Sequence, residues 1–398
     1  MALYRLYDEV VRTQLAELRQ MVFLAGPRQV GKTTVARAVA DHYLNWDDPA
    51  HSRLLVSGPS VVAQELGLNE LRERATVLTI DEFHKYRAWK GWLKGFFDVY
   101  GERCKVVVTG SSRLDVYRRG GDSLMGRYFL HHMHPLSVAE LAHASVADAP
   151  IRSPKRISDD DWESLLKHGG FPEPFVQRSS RFSNRWRAGR LSQLVREDVR
   201  DMTRIQDIGQ LAVLAELLSE RSGDQLIYAA LAREIRVSED TARRWVEALV
   251  QLHFGFLVRP WFRNVTKALR KEPKWFLRDH GAVVDPGKHA ETLVACHLLK
   301  AVDHFRDQGF GSFELRYLRD KDKREVDFLV VRDKKPWFLV EVKRSDTALS
   351  PALAHYQEQT GALHAFQVVL DMPFVEACCF EHTSPLAVPA RTLLSQLA

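Results

Sequence analysis

Two groups of residues in this chain have types and spacings suited to chemistry on phosphate groups. The first is G-P-R-Q-V-G-K-T, which fits the pattern G-x-x-x-x-G-K-[ST] from Gly26 to Thr33. Glycines at both ends let main-chain N–H groups turn inward around an anion. Lys32 can reach the β- and γ-phosphates of a nucleotide, and the Thr33 hydroxyl can ligate Mg²⁺. The candidate ATP-binding residues are therefore Gly26, Pro27, Arg28, Gln29, Val30, Gly31, Lys32, Thr33 and Thr34. An apolar strand precedes the loop (M-V-F-L-A) and a helical run follows it (T-T-V-A-R-A-V-A), so the positive end of a helix faces the same anion. V-L-T-I-D-E supplies the complement. Asp81, at a strand end, can hold Mg²⁺ directly or through water, and Glu82 can orient and deprotonate an attacking water. T-G-S-S ends a further strand, where Thr109 and Ser111 are both candidates to sense the γ-phosphate or hold the water. Arg127, in S-L-M-G-R, is either an arginine finger that stabilises transition-state charge or one half of a surface salt bridge.

The second group lies in R-E-V-D-F-L-V-V-R-D-K-K-P-W-F-L-V-E-V-K. Asp327 sits in one strand; Glu341 and Lys343 sit two apart in the next and so share a face. A turn at 332–336 makes the strands a hairpin and brings Asp327 beside Glu341. Upstream, A-E-T-L-V-A-C-H-L-L-K offers Glu291 from a helix. Carboxylates among so many apolar neighbours are costly to bury unless a cation offsets them. Glu291, Asp327 and Glu341, with Lys343, can bind Mg²⁺ and aim a water at a phosphodiester; the alternative is a salt-bridge network with no metal.

The elements that position these residues follow from periodicity. Short, continuously apolar strands alternate with helical runs through about residue 135, which indicates a parallel sheet buried on both faces, with its chemistry at the carboxyl ends of the strands. Residues 136 to about 205 read as helical, with loops at 148–154 and at G-G-F-P-E-P-F. Next, I-Y-A-A-L-A-R-E-I-R-V-S-E-D-T-A-R-R-W-V-E-A-L-V has helix-turn-helix form. Leu231, Ile235, Val237, Trp245, Val246 and Leu249 fit its buried face, Ser238 caps the second helix, and Arg243 and Arg244 face outward. Arg236 holds a turn position where glycine is usual, and F-G-F-L-V-R-P-W-F-R reads as a wing. Acidic Glu239 and Asp240 in the first turn of the second helix oppose deep insertion into a DNA groove.

The composition fits several domains rather than one. The chain has 398 residues, 45% hydrophobic and 27% charged, with a net charge of +6. The isoelectric point of about 9.1 is compatible with nucleic acid. No run approaches the roughly 18 apolar residues of a membrane span, and the N-terminus lacks a signal-peptide pattern, so a cytoplasmic location is expected. The four cysteines have no metal-ligand spacing and read as reduced thiols. H-H-M-H at 131–134 reads as an alternating strand, not a metal site.

The motifs G-P-R-Q-V-G-K-T-T, L-T-I-D-E-F-H-K, V-V-V-T-G-S-S-R-L, S-L-M-G-R, H-P-L-S-V-A-E-L and G-G-F-P-E-P-F occur in that order. In this the chain resembles, over nearly its whole length, the prokaryotic AAA+ ATPases that carry a winged helix and a C-terminal PD-(D/E)XK nuclease-like domain. The resemblance implies a P-loop AAA+ core at 1–135, a helical lid at 136–207, a winged helix at 208–264 and an α/β nuclease-like domain at 265–398. It also implies a homo-oligomer, such as a hexameric ring, in which Arg127 completes a neighbour's site. Glu291, Asp327, Glu341 and Lys343 fall in the matching nuclease-like positions, and the resemblance makes Gln357, on the next helix, a candidate supporting residue. The expected function is ATP hydrolysis with Mg²⁺ coupled to remodelling or processing of DNA, duplex or branched. The alternatives are migration of branched (Holliday-junction) DNA, or a nucleotide switch or scaffold with a non-cleaving C-terminal domain.

Overall fold

The computed structural model describes residues 3–110, 124–194, 207–262 and 272–397. The chain divides into two compact units, Met1–His134 with Ala144–Val146, and Pro135–His143 with Ala147–Ala398.

The first unit is built on a five-stranded sheet, all of its pairings parallel, in the order β2-β3-β4-β1-β5. Its strands are β1 (Met21–Ala25), β2 (His42–Asn45), β3 (Thr76–Asp81), β4 (Cys104–Gly110) and β5 (Tyr128–His132). Every residue of β1 is buried, as a central parallel strand covered on both faces requires. Helices α1 (Leu6–Glu17), α2 (Lys32–Val39), α3 (Pro49–Val56), α4 (Pro59–Glu65) and α5 (Trp89–Tyr100) cover it. Apolar strand faces (Phe23, Leu78, Ile80, Val106, Val108) pack with Trp89, Trp92, Leu93 and Phe96 of α5 into one core. The apolar side chains on α5 recur every three or four residues, the spacing that puts them on one helical stripe. The sheet brings the residues after β1, β3 and β4 to one edge, so the loop at Gly26, Asp81 with Glu82, and Thr109 are neighbours. Strand β2 has no signature in the sequence beyond H-Y-L-N, yet it contributes Tyr43 to that edge.

The second unit opens with four helices, α6 (Val138–Ala142), α7 (Asp159–His168), α8 (Pro172–Gln177) and α9 (Ser180–Gln193). Helix α8 arises inside G-G-F-P-E-P-F, which the sequence suggests is a loop: Pro172 at the first helical position, with Glu173 beside it, favours a helix start. Three further helices follow, α10 (Ile208–Glu220), α11 (Tyr228–Glu234) and α12 (Glu239–Gln251). Ser238 caps α12 by accepting from the Thr241 amide at 3.1 Å. Arg236, between α11 and α12, takes a left-handed φ of 57°, the conformation that favours glycine. Leu231, Ile235, Trp245, Val246 and Leu249 are buried, and Val237 packs against them.

A seven-stranded mixed sheet, ordered β12-β11-β10-β9-β8-β6-β7, completes the unit. It comprises β6 (Gly255–Pro260), β7 (Lys274–Leu277), β8 (Phe313–Arg319), β9 (Glu325–Arg332), β10 (Lys335–Lys343), β11 (His364–Val369) and β12 (Leu386–Pro389). Helices α13 (Pro286–Asp307), α14 (Pro351–Thr360) and α15 (Ala390–Gln396) accompany it. The antiparallel pair β6–β7 straddles position 264, and β6 also pairs with β8, so this hairpin is continuous with the C-terminal sheet. The hairpin expected at 332–336 is present: β9 and β10 join through Asp333 and Lys334, whose φ values of 50° and 66° are those of a two-residue type I′ turn.

Candidate functional site

The phosphate-binding loop is shaped by two glycines for different reasons. A Cβ on Gly26 would lie 2.2 Å from the Met133 carbonyl oxygen, so only glycine fits there. Gly31 has room for a Cβ but caps α2 at a φ of 100°, which L side chains rarely adopt. Lys32 then occupies the first position of α2 and is buried. Its ammonium donates to the carbonyls of Gly26 and Pro27 at 2.9 and 2.8 Å. A cation at the positive end of a helix dipole is electrostatically unfavourable on its own account. Together with the main-chain N–H groups of the first turn, it forms a concentrated positive site that an anion would relieve.

Asp81 sits opposite, buried at the end of β3. It accepts from three hydroxyls: Thr33 Oγ1 at 2.8 Å and Tyr43 OH at 2.6 Å, both on Oδ2, and Thr109 Oγ1 on Oδ1. Burial, reinforced by Asp81, pushes the Tyr43 phenol up to about 12, so it remains a donor. A carboxylate ringed by neutral hydroxyls, one of them the Thr33 hydroxyl beside the loop, is a donor set that suits Mg²⁺. Glu82 has a left-handed φ of 56°, its amide donating to the Thr109 carbonyl at 3.1 Å. Its carboxylate is half-buried and lies 3.5 Å from the Lys85 ammonium, which also pairs with Asp47 at 2.6 Å. Ser111 lies outside the described residues.

Arg127 precedes β5 at the opposite edge of the sheet. Its carbonyl accepts from the Met21 amide, at the start of β1, at 2.8 Å. With about 3.3 Å per strand residue, that is roughly 13 Å along β1 from the loop. Its guanidinium makes a two-pronged pair with Asp98, at 2.7 and 3.0 Å, and holds the Asp98 carboxyl below its ordinary value.

Two contributors gave no clear signal in the sequence. Tyr43 comes from the short strand β2. Arg5, buried at the start of α1, donates to the Val30 carbonyl and, at 2.8 Å, to that of His134, bracing the loop from behind. No spacing rule links position 5 to position 30, so only the folded chain reveals the contact. Of the H-H-M-H stretch only His131 and His132 lie in β5, while Met133 and His134 follow it, and His131 pairs with Gln14 of α1.

In the second unit the sheet gathers Glu291, Asp327, Glu341 and Lys343, and adds two residues that the sequence did not single out, Lys274 and Glu325. The buried Lys274 ammonium lies 2.8 Å from Glu291, 2.5 Å from Glu325 and 3.5 Å from Asp327. Asp327 also accepts from the Val342 amide at 2.8 Å, Glu325 pairs with Arg319 at 2.8 Å, and Glu341 with Lys343 at 2.9 Å. Burial, with Asp327 adding repulsion, raises Glu291 to about 8 and Glu341 to about 7. The surrounding carboxylates raise Lys274 against the effect of its burial. These residues do not fit a metal ion as they stand, because the Lys274 ammonium lies between Glu291, Glu325 and Asp327 and Glu341 is paired with Lys343. Among the described residues, no three His, Cys, Asp or Glu side chains are grouped to hold one. Gln357 is engaged elsewhere, donating to the carbonyls of Ala362 and Thr383. Arg243 and Arg244 are exposed, Arg243 against Glu239 and over the Tyr228 ring, Arg244 against Thr241.

The geometry of the first unit is that of a nucleotide-binding module, and residues 18–142 match the AAA domain family. The chain thus carries an AAA-type ATPase domain. Residues 159–285 and 286–371 match two domains of unknown function, DUF8612 and DUF4143. Uncharacterized proteins of Mycobacterium tuberculosis and Mycobacterium bovis are each 28% identical over 261 residues, 66% of this chain and 54% of theirs. The chain therefore matches about half the length of these curated relatives. Among solved structures, the Aeropyrum pernix ORC1 protein in complex with DNA is similar at a TM-score of 0.31, with 14% identity, over 72% of this chain and 90% of that one. A DNA polymerase III gamma subunit-related protein from Thermotoga maritima gives 0.25, with 12% identity, over 62% and 84%. The AAA domain match, not these distant likenesses, sets the class. No described helix is long and apolar enough to cross a membrane.

Proposed function

We propose that the chain is an ATP-hydrolysing ATPase that works as a homo-oligomer and acts on DNA through its second unit. The observation that carries the ATPase reading is the buried Lys32 ammonium at the positive end of α2, facing the hydroxyl-ringed Asp81. In this reading the amides of residues 26–34 and Lys32 hold the phosphates, and Thr33 and Asp81 hold Mg²⁺. The metal, when bound, neutralises charge on the β- and γ-phosphates. Glu82 orients the attacking water and accepts its proton, and Thr109 ties the end of β4 to Asp81. Ser111 is a second candidate for contact with the γ-phosphate. Arg127 lies beside the start of β1, at the strand ends opposite its own loop, so as a finger it serves a neighbouring subunit, in a hexameric ring or another closed assembly.

DNA as the partner is supported by the net charge of +6 and by the sequence of α11, α12 and the antiparallel pair β6–β7, which we read as a winged helix. The ion pair of Arg243 with Glu239, in the acidic first turn of α12, favours a second reading, in which this segment binds protein and the ATPase acts as a switch. An ATPase assay in Mg²⁺ separates the two. Linear, single-stranded or branched DNA should raise turnover of the wild type and leave Glu82→Gln slow, by about 10²- to 10⁴-fold relative to wild type, with nucleotide binding retained. Turnover indifferent to every DNA moves the reading to the switch. Wild-type turnover in Glu82→Gln removes Glu82 from its role.

A further inference from the structure

The acidic cluster of the second unit has its own cation. Lys274 reaches it from the β6–β7 hairpin, while its carboxylates come from other elements: Glu291 from α13, and Glu325 and Asp327 from β9. Each carboxylate already has a partner supplied by the chain. Glu291 and Glu325 both pair with Lys274, and Glu325 also with Arg319. Asp327 takes the Val342 amide and Glu341 takes Lys343. The chain thus supplies three cations, Lys274, Arg319 and Lys343, as partners for this cluster. A divalent ion entering at the centre would have to displace an ammonium that is only 3% exposed, stranding it away from its counter-charges. The Lys274 Nζ also lies 5.7 Å from the centre of the Tyr317 ring, a further contact that holds it in place.

We infer that Lys274 is the resident cation of this cluster and stands where a divalent metal would otherwise sit. It neutralises the carboxylates and pins the hairpin to the helix and sheet behind it. A metal-dependent cut at this cluster would first require Lys274 to leave. Removing the ammonium alone leaves Glu291, Glu325 and Asp327 without their shared counter-charge, and a divalent ion is a charge that would offset them.

The test uses the full chain without nucleotide, so its outcome is separate from that of the ATPase reading. Bound Mn²⁺ is counted by electron paramagnetic resonance, and melting is followed in EDTA and in Mn²⁺. The expected result is that wild type and Asp327→Asn bind the same amount of Mn²⁺. Lys274→Met should melt lower in EDTA, gain one Mn²⁺ per chain and recover its melting temperature with the ion. Lys274→Met with Asp327→Asn should lose that gain. A wild-type Mn²⁺ that disappears in Asp327→Asn overturns the inference, as does a folded Lys274→Met that gains none. The wild-type comparison decides the matter even where Lys274→Met does not fold.

Discussion

Each unit sets a lysine among acids near the ends of sheet strands, with opposite outcomes. In the first unit, Lys32 and Asp81 are kept apart: the ammonium bonds to main-chain carbonyls, and the carboxylate to three hydroxyls. The two are not paired with each other, and both belong to the site that a charged ligand would enter. In the second unit, Lys274 contacts three carboxylates directly and its charge is satisfied within the chain. Residue type alone therefore does not make a site receptive. What matters is whether the chain satisfies its own charges, because a buried ion pair is hard to open once formed.

The largest effect that sharpens this comparison concerns Arg127, whose pair with Asp98 lies at the exposed surface, where solvent screening keeps such pairs weak. If it completes a neighbour's site, Arg127→Ala should lower ATP turnover by about 10³-fold or more while the melting temperature hardly moves. Mixing it with Lys32→Ala protein should restore turnover. Equal loss of turnover and stability would return Arg127 to a structural role.

The two lysines themselves come next. Lys274→Met should destabilise the second unit by about 3–5 kcal/mol, since it strands buried carboxylates. Lys32→Ala should weaken nucleotide binding by about tenfold or more and leave melting almost unchanged. Calorimetric titration with ATP, alongside thermal melts of both variants, checks the contrast; a reversal of the two effects breaks it.

A pH effect of similar size is expected in the second unit. His297 is buried; its Nδ1 contacts the Leu293 carbonyl at 2.8 Å, and its Nε2 accepts from the Val138 amide at 3.1 Å, so the ring is neutral. Burial lowers it from 6.5 to about 4, and lowers the fully buried His280 as well. A histidine whose folded value is depressed contributes full stability above about pH 6.5, and the contribution is lost as pH falls towards 4, by roughly 3 kcal/mol for His297. Glu291 and Glu341 run the other way, losing stability as pH rises from about 4.5 through their raised values. The measurement is therefore the difference between wild type and His297→Gln in urea melts from pH 7 to pH 4, which should shrink steadily. A constant difference would show that the ring is not held neutral.

The smallest effect tests the loop geometry. Gly26→Ala should cost about 1–3 kcal/mol through overpacking against Met133, and should weaken ATP binding by shifting the amides. Unchanged ATP affinity in calorimetry would mean that the loop is not the site.

What the sequence determined by itself was local. The loop from Gly26 to Thr33, the acidic end of β3, the I′ turn at Asp333–Lys334 and the cap at Ser238 each depend on residues a few positions apart, so their chemistry is written in order along the chain. The tertiary structure alone decided the long-range partners. Tyr43 and Arg5 reach the nucleotide site from a strand too short to announce itself and from a helix start 21 positions before the loop. Lys274 and Glu325 joined a cluster that the sequence had read from Glu291, Asp327, Glu341 and Lys343. Sheet pairing brought a lysine on an edge hairpin among acids up to 53 positions away, and the burial that followed turned a set of metal-ligand types into a closed ion network.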